Sequence, residues 1–137
     1  MSKLKIAHLI VGGLMVVVFL LTGLYMRKNF PEIYGDNQAM RMMFRGSHIY
    51  ILLVGLLNIG LGSYLTLSSE NWKKVLQHIG SILVLAATGM FIYAFFHEPF
   101  LSGIHRPVTF KAVIMLLLGM VAHLTGSIKG SDERLAG

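Results

Sequence analysis

Four long apolar runs, at residues 6–26, 50–67, 75–96 and 108–127, constrain this chain more than any other feature it has. A bilayer's hydrocarbon core takes about 20 apolar residues per crossing helix, and each run meets that length. None alternates polar with apolar residues as a lumen-facing barrel strand would. Backbone groups in lipid must be satisfied within their own segment, so the runs read as helices. With hydrophobic residues making up 55% of 137 positions, the chain is too apolar for a soluble domain of its size. The expected fold is all-α, an integral membrane antiparallel four-helix bundle running up-down-up-down. Its helices are expected at about residues 5–27, 38–68, 71–97 and 107–128 of one transmembrane domain, because short loops place successive helices antiparallel.

The first run follows Lys3 and Lys5 and has the outline of a signal peptide. Its apolar stretch is too long for one, and no small-x-small cleavage site follows it, so it reads as a retained helix. The formal net charge of +6 comes from 12 Lys and Arg against 6 Asp and Glu. Those cations sit at helix ends, where they reach lipid headgroups. With no soluble basic domain to carry it, a nucleic-acid partner is not expected; the lipid bilayer is. Arg45 and Lys111 fall inside helices and are poor topology markers. Setting them aside leaves both termini on the cytoplasmic side of a bacterial inner membrane. The chain has no cysteine, so thiolate metal sites and iron–sulfur clusters are excluded.

The six histidines sort by depth. Helices of alternating direction put His8, His78 and His123 at one level, and His48, His97 and His105 at the other. Imidazoles offered from facing helices at one level are what a b-type haem requires. The faces agree in part at about 100° per residue. His8, Gly12, Met15, Phe19 and Gly23 share one stripe; His48, Leu52, Gly55 and Gly62 share another, with Asn58 beside them. His78, Ser81, Leu85, Thr88 and Gly89 form a third. Ser81, Thr88 and Asn58 then stand as hydrogen-bond partners that would tune the iron. The plain alternative is that shallow histidines meet water or headgroups at the interface. Nine span glycines, Gly12 and Gly80 among them, serve close helix packing or leave clearance for a flat cofactor.

Other polar residues carry further candidate roles. Lys111 either snorkels or faces an anionic group such as a propionate. Arg41 and Arg45, one turn apart, suit carboxylates or lipid phosphates. His97, Glu98 and His105 in the third loop, with His48, form an alternative surface site for Cu²⁺ or Zn²⁺. The pair Met40 and Met43 is more simply apolar filler than a Cu(I) site.

The segment "KIAHLIVGG", with Lys5 three residues before His8, resembles the opening of the HemJ-type protoporphyrinogen oxidases. "FKAVIMLLLGMVAHLTG" resembles that family's last helix, led by lysine and ending in histidine, and "AMRMMFRGSHIY" is a looser match. The CopD-type copper-resistance membrane domains share much of this layout. The resemblance implies a haem-binding redox protein that oxidises a porphyrinogen, or a small cytochrome, exchanging electrons with quinone. It makes His8 the cofactor-associated histidine and Lys111 the essential lysine, with Arg45 in the arginine-bearing segment. A copper-handling module, a homo-oligomer, or a non-catalytic subunit of a larger membrane complex are the other roles this architecture serves.

Overall fold

The structure, a computed structural model, describes residues 2–128. Four long apolar helices pack antiparallel: α1 (Lys3–Asn29), α2 (Gln38–Tyr64), α3 (Asn71–His97) and α4 (Pro107–Ser127). A single 3₁₀ turn, Glu98–Phe100, follows α3. Each α-helix is long and apolar enough to span a bilayer, and the protein is a multi-pass membrane protein. The expected helix at 38–68 ends at Tyr64 instead, where Leu65 turns extended. Residues 65–68 are freed there to meet the start of α3.

The helix ends follow from local chemistry. Ser2 Oγ accepts from the Lys5 amide at 3.4 Å and Asn37 Oδ1 from the Met40 amide at 2.9 Å, each satisfying an orphan N–H of a first turn. Arg27 and Lys28 close α1, where the helix dipole favours cations. Proline opens α4, where the missing N–H costs nothing. That helix is capped from a distance by Glu98, which is fully buried. Its Oε1 accepts from the amides of Val108 and Thr109, both at 2.8 Å, and its other oxygen accepts from the Thr109 hydroxyl.

Helices pair where side chains are missing. A Cβ at Gly12 would lie 2.6 Å from Ile59 Cγ1, and one at Gly55 would lie 2.9 Å from Met15 Cβ. On the second pair, a Cβ at Gly80 would lie 2.7 Å from Gly119 O. The backbones of α1 and α2, and of α3 and α4, therefore meet at small residues, the packing that membranes favour. The two hairpins dock mainly through α2 and α3. Leu14, Leu20, Leu24, Leu117 and Leu124 stay exposed on a surface suited to lipid.

The core has two unlike halves. At the end where α1 finishes and α2 begins, Phe44 packs against Phe95 at 5.1 Å, Tyr34 at 5.2 Å and Tyr25 at 5.8 Å between ring centroids. Arg106 pins the α3–α4 loop to this end. Its guanidinium donates to Met43 O at 2.8 Å and lies directly over Gly46, in space that a Cβ would take. The other half of the core is polar.

Candidate functional site

A chain of polar side chains from all four helices occupies that second half. Its order fixes every proton. Thr88 Oγ1 donates to Val84 O at 2.8 Å, the back-bond that a mid-helix threonine makes to its own preceding turn. Its lone pair therefore accepts from Asn58 Nδ2 at 3.0 Å, and the same amide also donates to Val54 O at 2.8 Å. Asn58 Oδ1 is then the acceptor for His8 Nδ1–H at 2.7 Å. With its proton on Nδ1, His8 offers a lone pair on Nε2, which accepts from Ser81 Oγ at 2.9 Å. Ser81 in turn accepts from His123 Nε2–H at 3.0 Å. His123 is left with an acceptor lone pair on Nδ1, and that buried atom has no partner among the described residues.

The two imidazoles thus hold opposite tautomers and share one hydroxyl. Their ring centroids are 6.1 Å apart, with the planes at 72°. His8, Asn58 and Ser81 are fully buried, and His123 is 3% exposed. A buried polar network of this kind is stable only when its members are satisfied, because each orphaned group loses roughly 1–3 kcal/mol. The one orphan, His123 Nδ1, therefore marks where the network meets something else.

The placement of this cluster follows from helix geometry. His8 begins the stripe that continues through Gly12 and Met15, all of them buried. The buried face of α3 runs through Gln77, Ser81, Val84, Thr88 and Phe91. Gln77, and not His78, takes the inward position. One residue is about 100° of rotation, and it turns His78 out to an exposed site where Nδ1 meets Lys74 O at 2.8 Å. The expected layer of three histidines is in the structure a pair, with Ser81 between them.

The remaining candidates lie apart. His48 is half-buried in the other half of the molecule, stacked on Phe19 at 4.0 Å, with Nδ1 2.8 Å from Thr22 Oγ1. His97 is exposed and stacks on Tyr93 at 3.7 Å; His105 is exposed. Glu98, expected beside them as a ligand, is committed to capping α4. Among the described residues no three His, Asp or Glu side chains come together as a metal site. Lys111 and Arg45 are exposed, and Arg45 lies over the Phe30 ring at 5.6 Å. Twelve residues separate Lys111 from His123 on α4. At 1.5 Å per residue that is about 18 Å, so Lys111 and the histidine pair do not share one site.

A porphyrin does not fit between these helices. Both Nε2 atoms, the natural axial donors, are taken by Ser81. The clearance expected from Gly12, Gly55, Gly62, Gly80 and Gly119 is filled by the neighbouring helix, whose atoms lie 2.5–2.9 Å from where a Cβ would stand. Gly13, Gly60 and Gly89 do face open space, but on the outer surface. The groove that His123 lines, between α2 and α4, holds about 220 Å³, below the roughly 300–1,000 Å³ of pockets that bury drug-sized ligands.

Reasoning from sequence did not reach Gln77. Its amide ties the α2–α3 loop together by donating to Thr66 O at 3.0 Å and accepting from Ser68 N at 2.9 Å. The available signal was its spacing of four from Ser81. Comparison of the chain with protein-family models, with curated proteins and with solved structures finds no match.

Proposed function

We propose that this membrane protein accepts and relays a proton inside the bilayer, with His123 as the entry, Ser81 as the bridge and His8 as the store. A proton arriving at His123 Nδ1 releases the one on Nε2 to Ser81 Oγ. Ser81 passes its own hydroxyl proton to His8 Nε2. His8 becomes an imidazolium whose two N–H groups donate to Asn58 Oδ1 and Ser81 Oγ. Ser81 then donates to the emptied Nε2 of His123, so the two bonds at Ser81 reverse direction, the His8–Asn58 bond keeps its own, and none is lost. Asn58 is held by Val54 O and Thr88, so it keeps its oxygen toward His8 throughout. Ionisable groups inside membranes commonly mark proton paths, and charge-assisted hydrogen bonds of this type are the stronger ones.

The single observation that carries the reading is the chain of contacts Asn58–His8–Ser81–His123 ending in a buried, partnerless Nδ1, an order that calls for opposite tautomers on the two neutral rings. Nitrogen-15 NMR of histidine-labelled protein in bilayers tests it. Near neutral pH the expected result is Nδ1–H at His8 and Nε2–H at His123. On acidification His8 becomes the imidazolium while His123 switches to Nδ1–H. Ser81→Ala uncouples the two rings. Identical tautomers at both rings, or unchanged coupling in Ser81→Ala, would refute the relay.

A further inference from the structure

Two hollows meet at the end of the molecule where α2 gives way to α3, and they differ in polarity. The first lies between the α2–α3 loop and the end of α4. It holds about 260 Å³, and its walls include Thr66, Ser68, Ser69, Lys73 and Ser127. The second is the groove between α2 and α4, whose walls include Gly60, Leu61, Met120 and Leu124. Thr66 and Ser127 line both, so the polar hollow adjoins the apolar one. We infer that the pair holds one anionic phospholipid, with its phosphate at the Lys73 ammonium and the loop hydroxyls, and an acyl chain between α2 and α4. The relay has no part in this site.

Lys73 carries the argument. It is 7% exposed, and no other lysine or arginine among the described residues is buried. The fold puts it there. Lys73 stands one turn before Gln77 on the buried face of α3. A Cβ on Gly126 would lie 3.0 Å from Lys73 O, so the end of α4 is seated against it. A buried ammonium is costly unless it is paired. Lys73 Nζ bonds to Glu70 Oε1, but an ammonium has three hydrogens to give, and one carboxylate oxygen takes only one. The loop adds further donors. Ser68 Oγ already accepts from the Glu70 amide at 3.2 Å, which leaves its own hydrogen to give. Thr66 and Ser69 are exposed, and their hydroxyls have no partner among the described residues. One cation and three hydroxyl donors around a hollow call for a ligand rich in acceptors, and phosphate oxygens meet that need. A zwitterionic lipid brings the same phosphate with a cation attached, which Lys73 repels. A lipid fits better than free phosphate because the second hollow continues the first along the membrane. Its walls are apolar, and Leu117 and Leu124 carry the exposed face of α4 onward. Apolar contact inside a bilayer gains nothing from water release. The headgroup therefore sets selectivity, and the groove sets the path of the chain.

The test uses the full chain in phosphatidylcholine nanodiscs with a rising fraction of phosphatidylglycerol. It reads the fluorescence of Trp72, the one tryptophan in the chain, whose ring centroid lies 5.5 Å from Lys73 Nζ. The signal is expected to saturate at a low phosphatidylglycerol fraction. Lys73→Gln should weaken binding roughly tenfold or more, the loss of a charge-assisted hydrogen bond. Ser69→Ala should weaken it a few-fold; Ser69 is exposed, so this variant keeps the test decisive if Lys73→Gln fails to fold. Lys74→Gln removes the same charge from an exposed neighbour and should change nothing. Gly60→Leu should fill the groove, since nothing lies within 4 Å of a Cβ at that position, and should also cost a few-fold. Inorganic phosphate at millimolar concentration should not reproduce the response. A signal that rises in simple proportion to the anionic fraction, or that falls equally in Lys73→Gln and Lys74→Gln, reports surface charge alone and overturns the site. An equal response to inorganic phosphate, or one that Gly60→Leu leaves untouched, overturns the lipid as its occupant.

Discussion

Replacing Gly80 with alanine should break the relay through a contact that involves none of its members. A Cβ there would stand 2.7 Å from Gly119 O, a backbone atom that cannot rotate away. Ordinary van der Waals contact begins near 3.4 Å, so α3 and α4 must separate by about 0.7 Å, an overpacking cost of roughly 1–3 kcal/mol. Ser81 is the next residue on α3, and His123 is one turn beyond Gly119 on α4. The same displacement would stretch the Ser81 Oγ···His123 Nε2 distance from 3.0 Å to about 3.7 Å, past the range of a hydrogen bond. The assay has two readouts in parallel: stability to denaturing detergent, and the nitrogen-15 signature of His123. Gly80→Ala should lose stability and release His123 from its fixed tautomer. Gly89→Ala on the same helix is the control, because nothing lies within 4 Å of its Cβ; it should be neutral, or stabilising by up to about 1 kcal/mol through helix propensity. A Gly80→Ala protein with wild-type stability and an unchanged His123 signature would refute the argument that close backbone approach sets the relay's geometry.

Removing the Glu98 side chain as alanine strips a cap and three acceptor contacts from α4. The expected loss is about 1–3 kcal/mol by detergent unfolding, with Glu98→Gln recovering part of it. At Gly46 an alanine should displace the Arg106 guanidinium, costing about 1–2 kcal/mol. In an Arg106→Ala background the same change should cost almost nothing, so a double-mutant cycle measures the coupling. Glu70 makes a pH-dependent contribution outside the membrane. Its hydrogen bond from Lys73 holds the carboxyl below the usual carboxylate range, against an opposing desolvation. Since the folded value is the lower one, its stabilisation is present above the unfolded value and disappears as pH falls through the folded one. The stability gap between wild type and Glu70→Gln should therefore close on acidification, and also shrink with added salt, because the Glu70 carboxylate faces solvent.

Much of this architecture is legible in the sequence, for a reason that also limits the reading. Twenty-residue apolar runs leave little choice but spanning helices, and alternation of direction alone puts His8 and His123 at one level. Which way each helix faces is harder to read. Leucine and isoleucine suit both lipid and core, so α1 shows no contrast between the exposed Leu14 and Leu20 and the partly buried Val18. What marks the inner face in such helices is small and polar residues. Gly12 and Met15 gave α1 correctly. On α3 the stripe is drawn through His78 and passes over Gln77, because an imidazole draws attention that a glutamine does not. The third loop misleads for another reason: its His97, Glu98 and His105 look like ligands by type. Tertiary contacts, invisible in the loop's own sequence, commit Glu98 to the α4 amides and Arg106 to α2.

The relay crosses a seam in the molecule. His8 and Asn58 belong to the α1–α2 hairpin, while Ser81, Thr88 and His123 belong to α3–α4. Either half alone holds a broken circuit: His8 without the hydroxyl it reads, and His123 with no second ring to discharge into. The bonds His8–Ser81 and Asn58–Thr88 close only when the halves come together. Docking of the two hairpins and completion of the proposed relay are thus one event.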